Sequence, residues 1–288
     1  LPVEDINEIL VFGEVSFNKK LLELASQKEI LIHYFNYYGY YMGTFYPREH
    51  LNSGYMILKQ AEFYLDYEKR LRIAKSFVYG AYRNIRQVLM YYSNRGKELA
   101  KTIKNIENLS LAIDECDEVD QLMAVEGHIR EQYYQSFDAI TNNREFCFHE
   151  RTRRPPQNNM NALISFGNSI LYAQVLSEIY KTHLDPRIGF LHATNFRRFS
   201  LNLDIAEIFK PLIIDRLIFA LIGKKMLTKK DFEKRTGGLL LKEKGKKIFV
   251  DELDKKLKTT IKHSTIGRHV SYRRLIRLEA YKLAKHLM

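Results

Sequence analysis

Residues 39–70 read GYYMGTFYPREHLNSGYMILKQAEFYLDYEKR, and the spacing of apolar residues changes within them. Up to Tyr46 the run is aromatic and punctuated by glycine, which suits a pleated strand. Pro47-Arg48-Glu49 ends that pattern. From Met56 to Tyr92 apolar residues recur every three or four positions with lysines and arginines between them and no proline, which is the period of a helix. Upstream, residues 9–12 and 30–35 are further short strand-like runs, linked by a helical stretch at 21–27. Downstream, residues 119–140 and 160–180 read as long helices, and 270–287 as a basic amphipathic one. The 160–180 segment is apolar nearly all round and is expected at the centre of the core. No internal repeat is visible. The expected class is α+β, with a small β-sandwich-like domain over residues 1–50 and a larger all-α domain over 51–288.

Composition narrows the function. The chain has 288 residues, 45% of them hydrophobic, enough for a sizeable core. Lys and Arg number 46 against 34 Asp and Glu, a net charge of +12, so an anionic partner is expected: nucleic acid or an anionic membrane surface. The most apolar run, residues 211–223, is too short to cross a bilayer and carries Asp215 and Arg216. Cys116 and Cys147 are the only cysteines and form no CxxC pair, which excludes a disulfide framework and fits a reducing cytoplasm. No signal-peptide pattern opens the chain. Its start, LPVEDINEILVFGEV, reads as the interior of a folded unit, so a preceding segment is expected.

The chemistry concentrates in residues 189–211, GFLHATNFRRFSLNLDIAEIFKP. Asp185 and Pro186 have the form of an N-cap and first helical position, which would put His192 in a second turn. Ser200 or Asn202 then caps a helix carrying Asp204 and Glu207. Three apart, these carboxylates share a face and repel unless a cation lies between them or one is protonated. An imidazole with carboxylate oxygens suits magnesium or manganese. The competing reading is that two acids in a first helical turn simply favour the helix dipole. Glu126 adds a third carboxylate within an apolar stretch, and Gly127 beside it suggests a close approach there. Alone, Glu126 reads as an ordinary solvent-facing acid, and His128, His149 and His183 as surface histidines.

Basic residues surround these positions. Arg144, Arg151, Arg153 and Arg154 precede Pro155-Pro156, and Arg197, Arg198 and Lys210 lie near the candidate ligands. Guanidinium forks match phosphate oxygens, which suits a groove that tracks a nucleic-acid backbone. Lysines 242–247 and arginines 273–277 read as solvated faces. Tyr37, Tyr38, Tyr40 and Tyr41 could stack on bases, but within a β domain they are expected at the core or a subunit contact.

The stretches VEGHIREQYY, RTRRPPQNNMNALISFGNSILY and HLDPRIGFLHATNFRRFSLNLDIAEIFKPLIIDR, in this order, closely resemble the CRISPR-associated protein one family, the integrase subunits of spacer acquisition. The resemblance extends to VFGEVSFNKKLLE and YYGYYMGTFYPRE and covers essentially the whole chain. It implies a metal-dependent DNA endonuclease and integrase that uses Mg2+ or Mn2+. It also implies a homodimer formed through the β domain, a small ferredoxin-fold partner protein, and double-stranded or branched DNA as substrate. Matched motif by motif, Glu126, His192 and Glu207 are the implied metal ligands, with Asp204 at the edge of the site. Arg153, Arg154, Arg187 and Lys210 are the implied lining of the DNA path. The chain lacks the family's opening strands, has Asn168 where many relatives have tyrosine, and has Glu207 where some have aspartate. Two rivals remain. A helical metal-dependent phosphohydrolase would carry an adjacent His-Asp pair, which is absent; a non-catalytic DNA-binding scaffold would use the carboxylates as mere caps.

Overall fold

The computed structural model describes the chain apart from residues 1, 49–50, 52, 154, 195–198, 236–237 and 264–266. Arg154, Arg197 and Arg198 therefore lie outside the described residues. Strands β1 (Glu8–Val11), β2 (Leu31–Phe35) and β3 (Tyr41–Phe45) form one sheet in that order. β1 and β2 run parallel, with Ile9 opposite Ile32, so the chain must cross over, and helix α1 (Lys19–Gln27) supplies the crossover. β3 returns antiparallel to β2.

Ten helices follow among the described residues. They are α2 (Gly54–Leu65), α3 (Tyr67–Ser93), α4 (Ala100–Glu115), α5 (Val119–Gln135), α6 (Phe137–Thr141) and α7 (Asn159–Tyr180), then α8 (Leu201–Lys210), α9 (Arg216–Gly223), α10 (Glu243–Lys258) and α11 (Tyr272–Leu287). One π-helical turn, Pro211–Asp215, joins α8 to α9. The mixed α+β class stands, with a small N-terminal sheet and a mostly helical remainder. That remainder also carries two short hairpins, β4 (Phe232–Arg235) with β5 (Gly238–Leu241) and β6 (Thr260–Lys262) with β7 (His269–Ser271). No described helix is long and apolar enough to cross a membrane.

Two helices read as continuous are interrupted, each by a side chain that competes for backbone groups. Asp66 ends α2 in an extended conformation and accepts from the amide of Lys69 at 3.0 Å, capping α3. Ser136 donates its hydroxyl to the Tyr133 carbonyl at 2.6 Å between α5 and α6. As expected, α7 is buried almost throughout and lies at the centre of the main core. Gly167 lets the π turn and α10 approach α7: a Cβ there would meet Ile214 at 2.6 Å and Phe249 at 2.8 Å.

A buried polar chain ties the N-terminal sheet to α7 and α11. His33, fully buried, bonds Thr44 Oγ1 through Nδ1 at 2.7 Å and Ser177 Oγ through Nε2 at 2.8 Å. Ser177 donates its one proton to Glu8 Oε2 at 2.7 Å, so His33 Nε2 is the donor to Ser177 and Nδ1 accepts from Thr44. Glu8 Oε1 accepts from Arg273 at 2.7 Å. Burial pushes the His33 imidazole down to about 4, against the pull of Glu8. The unfolded chain therefore binds a proton that the folded chain refuses between pH 6.5 and about 4, and stability falls as pH falls through that window. Urea unfolding should show a shallower loss over this range in His33→Gln, by up to ~1.4 kcal/mol per pH unit. Equal slopes in the two proteins would remove His33 as the group responsible.

Candidate active site

The described residues between Lys181 and Ser200 form a loop, not the helix expected to start at Asp185. Gln60 on α2 accounts for this. Its fully buried amide accepts from the Asp185 N–H at 2.7 Å and donates to the carbonyls of Asp185 at 3.1 Å and Ile188 at 3.2 Å. The Asp185 carboxylate takes the Arg187 amide at 2.8 Å and the Arg187 guanidinium. Backbone groups that a first helical turn needs are thus claimed from outside.

Asp204, in the first turn of α8, shapes the end of this loop. Its Oδ2 accepts from the amides of Phe190 (2.6 Å) and Leu191 (3.0 Å), and its Oδ1 from the amide of His192 (2.8 Å). The same Oδ1 lies 2.8 Å from His192 Nδ1, which fixes the ring with Nε2 pointing away. Gly189 is required at this approach, because a Cβ would stand 2.9 Å from Asp204 Oδ2 and from the Ser200 backbone. Ser200 precedes α8 but caps nothing with its side chain; its hydroxyl accepts from Gly189 N at 2.9 Å and donates to Arg187 O at 2.7 Å. Asp204 is therefore spent on amides and an imidazole and has no lone pair left that faces Glu207.

Glu126 on α5 and Glu207 on α8 meet at the guanidinium of Arg130. Arg130 Nη2 is 2.7 Å from Glu207 Oε2, and its Nε is 3.4 Å from Glu126 Oε1. Lys210, one turn beyond Glu207, bonds the other Glu207 oxygen. Burial alone would raise the Glu207 carboxyl, but Lys210 and Arg130 prevail and hold it at about 2. Glu126 moves the opposite way, pushed up by burial and by the charge of Glu207. Burial lowers the His192 imidazole, yet the bond and charge of Asp204 outweigh it and leave the group raised. Behind them, the π turn carries Asp215, 1% exposed, whose carboxyl is pushed up to about 7 by burial despite Arg130 and Lys210.

The expected residues are thus brought together in part. Glu126, His192 and Glu207 are electrostatic neighbours, and Asp204 holds His192. Among the described residues, however, no three His, Cys, Asp or Glu side chains converge closely enough to hold one ion. The donor set still suits a hard divalent cation, since His192 Nε2 and Glu126 Oε2 make no bond to described residues. Glu207 is the obstacle, both oxygens being taken by Arg130 and Lys210. Lys210 itself is 7% exposed and bound to Glu207, so its ammonium does not line an open path here. Arg187 lies on the surface beside Asp185, and Arg153 is exposed, its carbonyl accepting from the Tyr40 hydroxyl at 3.3 Å. The close approach expected at Gly127 is absent: nothing lies within 4 Å of a Cβ there. His128, His149 and His183 are exposed, as expected. Arg130 and Asp215 were not singled out. Arg130 stands four residues after Glu126, the spacing of a helical ion pair, and Asp215 is a carboxylate in the most apolar run of the chain; both were visible signals.

These features define a basic, mostly helical protein with a buried carboxylate–imidazole site. The family model described as CRISPR associated protein Cas1 matches residues 1–255, and the chain belongs to that family. It is 62% identical, over its whole length and 87% of the relative, to the CRISPR-associated endonuclease Cas1 2 of Thermodesulfovibrio yellowstonii. It is 50% identical, over its whole length and 88% of the relative, to the CRISPR-associated endonuclease Cas1 of Thermotoga maritima. The solved structure of a Cas1 protein from Thermotoga maritima superposes with a TM-score of 0.89 at 47% identity, covering 100% of this chain and 88% of that one. A casposase bound to its integration product has the same fold, with a TM-score of 0.89 at 24% identity over 98% of this chain and 79% of that chain.

Asp204→Ala should lower the unfolding free energy by about 2–4 kcal/mol, because it strands three buried amides. His192→Ala should cost clearly less. Chemical denaturation of the two variants side by side checks this ordering, and equal losses would count against it.

Proposed function

We propose that this chain is the metal-dependent DNA endonuclease and integrase of CRISPR adaptation, working in the cytoplasm. In this role it cleaves DNA and inserts new segments into a repeat array by phosphodiester transesterification. The observation that carries the reading is the meeting of Glu126 and Glu207, from separate helices, beside an imidazole that Asp204 holds by its Nδ1. Glu126, His192 through Nε2, and Glu207 would hold Mg2+ or Mn2+. Such an ion, when bound, polarises a scissile phosphodiester and lowers the pKa of an attacking water or DNA 3′-hydroxyl.

The chain's own groups supply the rest. Asp204 keeps the His192 ring in one orientation and one tautomer, so that Nε2 is presented without a search through rotamers. Lys210 and Arg130 stabilise Glu207 as a carboxylate, the form a cation requires. Arg153 and Arg187 are exposed cations for phosphate oxygens; Arg154 joins them by the resemblance of its motif, and Arg197 and Arg198 by their place in the sequence beside the candidate ligands. Contacts of this kind hold DNA in register and carry little sequence information. Water as nucleophile gives cleavage and a 3′-hydroxyl gives strand transfer, with the same side chains serving both. The working unit is a homodimer paired with a small ferredoxin-fold partner. Solved relatives titled as Cas1–Cas2 complexes and a Cas1–DNA complex, all at or below 20% identity, share the fold.

Glu126→Ala and Glu207→Ala should reduce Mn2+-dependent cleavage and strand transfer into supercoiled plasmid to background, with unchanged far-UV circular dichroism. Activity that survives both changes, or that persists in a chelator, would favour a non-catalytic DNA-binding scaffold. Arg153→Ala should weaken DNA binding alike for all sequences and reduce the slope of log affinity against log salt by about one. An unaltered slope takes Arg153 out of the DNA path.

A further inference from the structure

Among the described residues, Arg130 is the cation that reaches Glu126, Glu207 and Asp215 together. Its Nη2 is 2.7 Å from Glu207, its Nε 3.4 Å from Glu126, and its Nη1 4.0 Å from Asp215 Oδ2. The third contact is unfinished. Both oxygens of Asp215, Nη1 of Arg130 and the hydroxyl of Tyr133 are buried without any hydrogen-bond partner. A carboxylate 1% exposed and left unbonded is an expensive thing to bury for structure alone. It is placed there by the π turn, which follows from Pro211: proline has no N–H to give the Glu207 carbonyl, and its ring crowds that carbonyl, so the backbone widens.

We infer that Arg130 is a resident counter-cation that gives up Glu207 and Glu126 to an arriving divalent ion by turning its guanidinium onto Asp215. Asp215 is then a positioning residue that sets the affinity of the site for the ion. The inference rests on the proposed ligand set. A guanidinium and a divalent ion cannot share one carboxylate pair without strong repulsion, so Arg130 must leave Glu207 when the ion comes. With Nη1 already 4.0 Å from Asp215 Oδ2, rotation of the planar fork can complete a charge-assisted bond with Asp215 as Nη2 swings off Glu207. Lys210 can remain near Glu207, since its flexible stem lets the ammonium move aside without losing the helix. The Tyr133 hydroxyl faces Asp215 without making a full bond, and its pull already works against the rise of that carboxyl, so it can close on the second Asp215 oxygen once the guanidinium has closed on the first.

The test uses the full chain without DNA and Mn2+ as the probe, with free Mn2+ read by electron paramagnetic resonance. Asp215→Asn should weaken Mn2+ binding about tenfold or more. In an Arg130→Gln background the same change should have little effect, because Asp215 acts only through Arg130. An unchanged affinity in Asp215→Asn overturns the inference. So does an equal loss in both backgrounds, which would mark Asp215 as a distant anion and nothing more. Should Arg130→Gln fail to fold, the Arg130 side-chain Nε–H resonance decides the matter. It should move when Mg2+ is added to the wild-type protein and need about tenfold more Mg2+ to move as far in Asp215→Asn. A resonance that stays still in the wild-type protein, or that moves at the same Mg2+ in both, overturns the inference. Equal Mn2+ binding by the wild-type protein and Glu126→Gln would instead remove the ligand set, and the proposed function with it.

Discussion

One carboxylate, Asp204, holds three consecutive amides and an imidazole, and the geometry of the site follows from it. The amides of Phe190, Leu191 and His192 have no strand or helix to join, and Asp204 replaces one. Because the carboxylate is fixed in the first turn of α8, the loop is pinned to the helix that also carries Glu207 and Lys210. His192 and Glu207 therefore share one rigid frame, although 14 residues separate them in sequence. α3 braces that frame from behind. Asn84 takes the Ile208 carbonyl at 2.7 Å and Arg70 takes the Phe190 carbonyl at 3.0 Å.

Sequence period was enough to find most of the helices. α7 was legible almost to the residue, because an apolar segment that ends in polar turns has few alternatives. What escaped was decided by contacts between distant residues. Gln60 lies more than 120 positions from the loop it straightens, and nothing in the Asp185-Pro186 pair reveals that its backbone will be claimed. The β4–β5 hairpin escaped for a different reason. Its first strand reads FEKR, with Phe232 alone buried and the last two residues exposed, and one apolar residue leaves no alternation to detect. Asp66 and Ser136 broke two helices through single hydrogen bonds, which spacing alone cannot foresee.

The candidate site divides along the same line. The residue types were legible: an imidazole, two acids on one helix and a third on another. Their partners were not. Spacing set Asp204 against Glu207 as a repelling pair, whereas Asp204 turned to the loop and Glu207 to Arg130 and Lys210. A helical i, i+3 relation states which side chains can meet, and burial then decides which do. Family resemblance supplied a candidate set but no account of how the chain balances it.

That balance explains how so basic a protein keeps an acidic centre. Among the described residues, Glu126, Glu207 and Asp215 form ion pairs with Arg130 and Lys210, while His192 lies near enough to both glutamates to stabilise their charged forms. The buried cluster is therefore short of positive charge while the surface has it in excess, with a net +12 over the whole chain. A positive surface favours the approach of phosphate, and a cluster with more carboxylates than resident cations is the kind of place where a small cation would be stabilised. Burial and the charge of Glu207 push the Glu126 carboxyl up while Lys210 and Arg130 hold Glu207 down, so two carboxylates that face one guanidinium are driven apart in their affinity for a proton.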